Sequence, residues 1–138
     1  MHLTYGLRME NFYLIYECSK NKFRVYLNQS NKDLVTNFML INRSQSVLNK
    51  FLLVIEAVKT KIHNRTQYNW EMDLEIGSVY AIKIDLHRFY TLQIERLGFR
   101  ELYICRYGKK ESQQNSKKLI AIIESIDSID IYKVLSHE

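Results

Sequence analysis

Residues 77–86, GSVYAIKIDL, repeat apolar and polar side chains with a period of two. Tyr80, Ile82, Ile84 and Leu86 fall on one side and Ala81, Lys83 and Asp85 on the other, which predicts a strand over Val79–Asp85. Two further strand-like runs come directly after it. RFYTLQIE (88–95) comes after the bend DLHR, and ELYICRY (101–107) comes after ERLGFR, with Gly98 at the tight position. Two short connections in succession make an antiparallel meander. A meander with one apolar face needs helices to cover it.

The first half supplies them. NFYLIYEC (11–18) and KFRVYLN (22–28) read as short strands around the turn SKNK. Ser30 with Asp33 three residues later forms a capping-box start. Leu34, Val35, Phe38, Met39 and Ile41 then recur at helical spacing. A second helix is predicted from Ser46 to about Asn64, with Val47, Leu48, Phe51, Leu52, Ile55, Val58 and Ile62 on one face. The short joint NRS between them implies an antiparallel helical hairpin. Residues 70–76 read as either a short strand or a loop. A helix is expected from Ser112 or Ser116 to Ile126, and SIDIYKVL as its extension or an extra strand. The fold class is α+β: an N-terminal strand and helical hairpin on a curled antiparallel sheet, closed by a C-terminal helix. At 138 residues, one domain over 1–138 is expected, with 1–20 as an extra strand or a tail.

Charge is distributed unevenly. From Lys83 to Lys118 there are nine Lys/Arg against four acids, so this stretch holds the whole net charge of +5. A polyanion is the implied partner, nucleic acid first, unless the run is only a solvated basic face. No apolar run approaches the roughly 20 residues of a membrane span, and the N-terminus has no signal-peptide pattern, so a cytoplasmic protein without membrane partners is expected. Cys18 and Cys105 are expected as free thiols. No Cys/His group has zinc spacing, so no metal or small-molecule cofactor is expected.

The segment 23–124 resembles the RelE/ParE toxin superfamily, in particular its HigB-like branch. LEIGSVYAIKI stands where that branch has a strand with an aromatic and an arginine: Tyr80 matches the first and Lys83 takes the place of the second. HRFYTL provides Arg88, and ICRYGKKESQQNSKKLIAII provides the paired Lys109 and Lys110 and the basic Lys117 before the last helix. The branch's usual histidine at the end of the last strand is replaced by Cys105 or Arg106, and its proline by Asn115. The resemblance implies a RelE-like fold. It also implies the toxin of a type II toxin–antitoxin module: a ribosome-dependent, metal-independent mRNA endonuclease whose partners are the ribosome, mRNA and a cognate antitoxin protein. The alternative it leaves open is a non-catalytic binder on the same fold, such as a gyrase inhibitor.

Cleavage of this kind uses the RNA 2′-hydroxyl against its own phosphate. Arg88 and Arg106 are candidates for phosphate or transition-state charge, Lys83 for a phosphate contact or base, and Tyr107 for stacking or proton transfer. Lys109, Lys110 and Lys117 are candidates for RNA docking. His87 is a weaker acid–base candidate. Each has a structural alternative: Lys83 paired with Asp85 or Glu101, Arg88 closing its bend, Tyr107 in the core, the lysines as plain surface. The isoleucines at 120, 123, 126 and 129 either pack inward or contribute to an antitoxin groove.

Overall fold

In the computed structural model, residues 10–111 and 116–136 are described. They form six strands and four α-helices: β1 (Phe12–Cys18), β2 (Phe23–Asn28), α1 (Lys32–Asn42), α2 (Gln45–Lys59), β3 (Tyr68–Leu74), β4 (Gly77–Ile84), β5 (His87–Arg96), β6 (Phe99–Lys109), α3 (Ser116–Glu124) and α4 (Ile131–Ser136). A 3-10 turn, Ser125–Ser128, joins the last two helices. The ambiguous segment 70–76 is therefore mostly strand, and the first predicted strand is real. The expected start of the last helix at Ser112 lies outside the described residues.

One sheet contains all the strands, in the order β1-β2-β6-β5-β4-β3. It is mixed rather than antiparallel, because β2 lies parallel to β6. The α1–α2 hairpin carries the chain from β2 over one face, and the meander then returns β6 to β2's side. Partner direction over that separation is not written in either strand's own pattern. The meander turns are two-residue connections. Ile84 pairs with His87 across Asp85–Leu86, and Arg96 with Phe99 across Leu97–Gly98. Leu97 (φ 54°) and Gly98 (φ 83°) both take the left-handed conformation that this hairpin type requires.

Both faces of the sheet are covered. α1 and α2 bury Leu34, Ile41, Phe51, Ile55 and Val58 against Val25, Ile82, Phe89 and Ile104. α3, the 3-10 turn and α4 bury Ile123, Ile126, Ile129 and Val134 against Tyr26, Ala81, Leu92 and Tyr103. Three of the four C-terminal isoleucines thus pack inward. α1 is capped by Asn31, whose side chain accepts from the Leu34 amide at 2.9 Å. Ser30, the expected cap, instead accepts from the Asn11 amide at 2.8 Å and ties down the lead-in to β1. α2 stops at Lys59, with Lys61 at φ 62°, so Ile62 is exposed beyond the helix.

A β-bulge in β6 sets the faces of the residues beyond it. Tyr90 pairs with Arg106 but Thr91 pairs with Ile104, leaving Cys105 as the extra residue. Before the bulge Ile104 faces α1 and α2 and Tyr103 faces α3. After it the alternation inverts: Tyr107 joins the α1–α2 core, and Gly108 lies beneath α3. A Cβ on Gly108 would sit 2.7 Å from Leu119 Cδ2 and 3.1 Å from Tyr90 Cε2. The absent side chain lets α3 approach the sheet.

Arg106 is buried in the same inversion. Its Nη1 and Nη2 donate to the Glu10 carboxylate at 2.9 and 3.1 Å, and its Nε donates to Ser125 Oγ at 3.0 Å. Asn28 Nδ2 donates to the same carboxylate at 2.6 Å. Truncating one partner of such a pair leaves an uncompensated buried charge. Arg106→Ala is therefore expected to lower unfolding free energy by about 3–5 kcal/mol, read from chemical denaturation followed by circular dichroism. A loss below about 1 kcal/mol, the level of an exposed pair, would contradict this structural role.

Candidate functional site

The meander and α3 enclose a cleft of about 460 Å³ on the α3 side of the sheet. β4 contributes Lys83, β5 contributes Arg88 and Tyr90, and Lys110 follows the end of β6. β3 adds Asn69, Glu71 and Met72, and α3 adds Ser116, Leu119, Ile120 and Ile123. Strand alternation explains the convergence. Lys83 lies opposite Arg88 across β4–β5, and Ala81 lies opposite both Asn69 and Tyr90. A second bulge, between Trp70 and Met72, turns Glu71 and Met72 to the same side as Asn69.

Like charges directly opposite on neighbouring strands repel, and among the described residues the one carboxylate that lines the cleft with them is Glu71. Among the described residues, neither Lys83 nor Arg88 has a carboxylate within ion-pair distance. Arg88 Nη1 donates only to the backbone oxygens of Asp85 (2.7 Å) and His87 (3.0 Å). The acids expected as partners of Lys83 are engaged elsewhere. Asp85 accepts from Lys50 at 2.8 Å. Glu101, fully buried, accepts from Arg96 at 2.8 and 3.1 Å and from Tyr103 at 3.0 Å. Lys110 is exposed at the cleft mouth.

Tyr90 adds a buried polar group to this charge. It is 2% exposed, and among the described residues its hydroxyl has no hydrogen-bond partner. Burial, with Glu71 adding to it and Arg88 opposing, pushes its pKa up to about 12. The phenol is therefore a protonated donor at neutral pH. An unpaired buried hydroxyl is costly, and an oxyanion held by Lys83 and Arg88 would satisfy it. The cleft thus presents two cations, a third at its mouth, one unpartnered donor and one carboxylate, Glu71, as a proton acceptor.

No family model, curated protein or solved structure matches the chain. Assignment therefore rests on where each residue lies.

Of the residues singled out from sequence, the fold brings Lys83, Arg88 and Lys110 together and separates the rest. Arg106 is withdrawn into its pair with Glu10, so it does not line the cleft. Tyr107 is on the opposite face, in the α1–α2 core, because of the Cys105 bulge. Lys109 and Lys117 are exposed but do not line the cleft. The basic stretch is split likewise: Arg96 and Arg106 are tied to buried carboxylates, and Arg100 donates to the Val58 and Lys59 carbonyls at 2.6 and 3.0 Å. Glu71, Tyr90 and Asn69 were not singled out. Glu71 stands in the ambiguous segment 70–76, Asn69 just before it, and Tyr90 is one of ten tyrosines. Among the described residues no three His, Cys, Asp or Glu side chains gather as a metal set, and no helix is long and apolar enough to cross a membrane.

His87 lies with Tyr107, its Nδ1 2.6 Å from the phenol oxygen. Burial, and then Lys109, lower the His87 pKa, while burial raises that of Tyr107. The pair is thus a neutral imidazole and a protonated phenol sharing one hydrogen bond, whose direction the imidazole tautomer sets. His63 is lowered as well, by burial and then Arg100. For both histidines the unfolded chain binds more protons as pH falls below about 6.5. Stability is therefore full above that value and declines as pH drops through it. Urea midpoints are expected to fall between about pH 7.5 and 5.5, and less steeply in His87→Asn. An unchanged slope in that variant would contradict the His87 contribution.

Proposed function

We propose that the protein binds RNA in the α3 cleft and cleaves it without a metal, as a RelE/HigB-like, ribosome-dependent mRNA endonuclease. The observation that carries this reading is the meeting of Lys83, Arg88 and the Tyr90 hydroxyl, which has no partner among the described residues, with Glu71 in one cleft. The chain order strand, helical hairpin, meander, helix is the order on which the resemblance to that superfamily rests.

The chemistry is set by the residue types. Glu71 accepts the proton of the ribose 2′-hydroxyl. The 2′-oxygen forms a bond to the adjacent phosphorus, and the bond from phosphorus to the 5′-oxygen breaks. Lys83 and Arg88 offset the extra negative charge of the phosphorane, and Tyr90 donates to one of its oxygens. A proton returns to the 5′-oxygen from solvent or from a cleft cation. The products are a 2′,3′-cyclic phosphate and a 5′-hydroxyl. On this reading a small cognate antitoxin, the ribosome and mRNA are the partners, and the cytoplasm is the site of action.

A second reading, a non-catalytic binder of the same superfamily, is favoured by the withdrawal of Arg106 and Tyr107 from the cleft. Cell-free translation with mapping of mRNA ends separates the two. The first reading expects cuts within the message, ending in cyclic phosphate and 5′-hydroxyl. Glu71→Gln and Arg88→Ala are each expected to slow cutting by about a hundredfold or more. Glu71→Gln should still bind RNA, since it removes the base and keeps the cations. Intact message at stoichiometric protein, with RNA still bound, would discard the nuclease reading in favour of the binder.

A further inference from the structure

Trp70 stands between Asn69 and Glu71, both of which line the cleft, yet its own indole points to the other face of the same edge strand. It is 52% exposed, an unusual position for the chain's one tryptophan. The ring is also held in place. Its Nε1 donates to Asp73 Oδ1 at 3.0 Å, and that carboxylate oxygen accepts from Ser78 Oγ at 2.6 Å. An exposed indole whose only polar atom is already satisfied presents a rigid apolar face. Such a face suits a stacked base, because little conformational freedom is left to lose.

We infer that Trp70 is a stacking platform for the nucleotide adjacent to the one held in the cleft, so that a single RNA strand passes over the free edge of β3. The inference rests on the proposed RNA reading of the cleft. It commits to single-stranded nucleic acid for three reasons. The cleft cations call for a polyanion. The platform is continuous in sequence with the cleft wall. β3 is an edge strand, and among the described residues no neighbouring strand blocks the path. A duplex would keep its bases stacked on each other and offer none to the indole.

The test uses the full chain and two probes, an all-2′-O-methyl RNA hexamer, which cannot be cleaved, and adenosine 3′-monophosphate. Binding of each is measured by calorimetry, and Trp70 emission is recorded in parallel. Both probes are expected to bind, but only the hexamer should quench Trp70. Trp70→Leu should weaken the hexamer about tenfold, within the range of one base–aromatic stack, and leave the mononucleotide within about twofold. Trp70→Phe, which keeps a ring, should restore most hexamer affinity and guards against a folding defect. Hexamer binding without quenching, or with unchanged affinity in Trp70→Leu, overturns the platform while the cleft reading stands. Failure of both probes to bind the unaltered protein overturns the cleft reading itself.

Discussion

The structure depends on the buried pair between Arg106 and Glu10. Glu10 precedes β1, Arg106 lies just past the bulge of β6, Asn28 ends β2, and Ser125 begins the turn after α3. One bidentate contact therefore joins the N-terminal hairpin, the sheet centre and the C-terminal helical layer. A buried guanidinium tolerates its loss of water only when all its donors find acceptors. Here the Glu10 carboxylate, the Cys105 carbonyl and Ser125 Oγ supply them. The geometry leaves no capacity for a phosphate, so the arginine that looks best placed in sequence serves the fold.

The cleft is the complement of that arrangement. Three arginines of the basic stretch are consumed by carboxylates or backbone carbonyls: Arg96 on Glu101, Arg100 on the end of α2 and Arg106 on Glu10. What remains on the α3 side is a small set, Lys83 and Arg88, that makes no ion pair among the described residues and shares its cleft with one carboxylate, Glu71. Lys83 and Arg88 face each other at a cost to the sheet, and among the described residues the buried Tyr90 hydroxyl has nothing to donate to. Groups kept in such unfavourable surroundings are candidates for function. Net charge alone would not have distinguished them from Arg100 or Arg106.

The same cleft depends on two irregularities. The bulge at Cys105 sends Tyr107 to the far core and brings Gly108 under Leu119, which allows α3 to close over Tyr90. The bulge at Glu71 turns that carboxylate toward the cations. Each bulge adds one residue to one strand and changes the face of every residue after it. A period-two reading carried across the bulge assigns Arg106 and Tyr107 to the wrong faces.

The amino-acid sequence by itself determined the α+β class, the meander with its two tight turns, the helical hairpin and the concentration of charge between Lys83 and Lys118. These are local properties: periodicity, turn chemistry and composition act over a few residues. Lys83 and Arg88 were also legible, since their strands are regular and one short turn joins them. Only the tertiary structure decided that β2 runs parallel to β6, that Glu10 neutralises Arg106, and that Glu71 and Tyr90 complete the cleft. Those outcomes depend on partners up to 96 residues apart in the chain and on bulges that appear only when two strands are set in register.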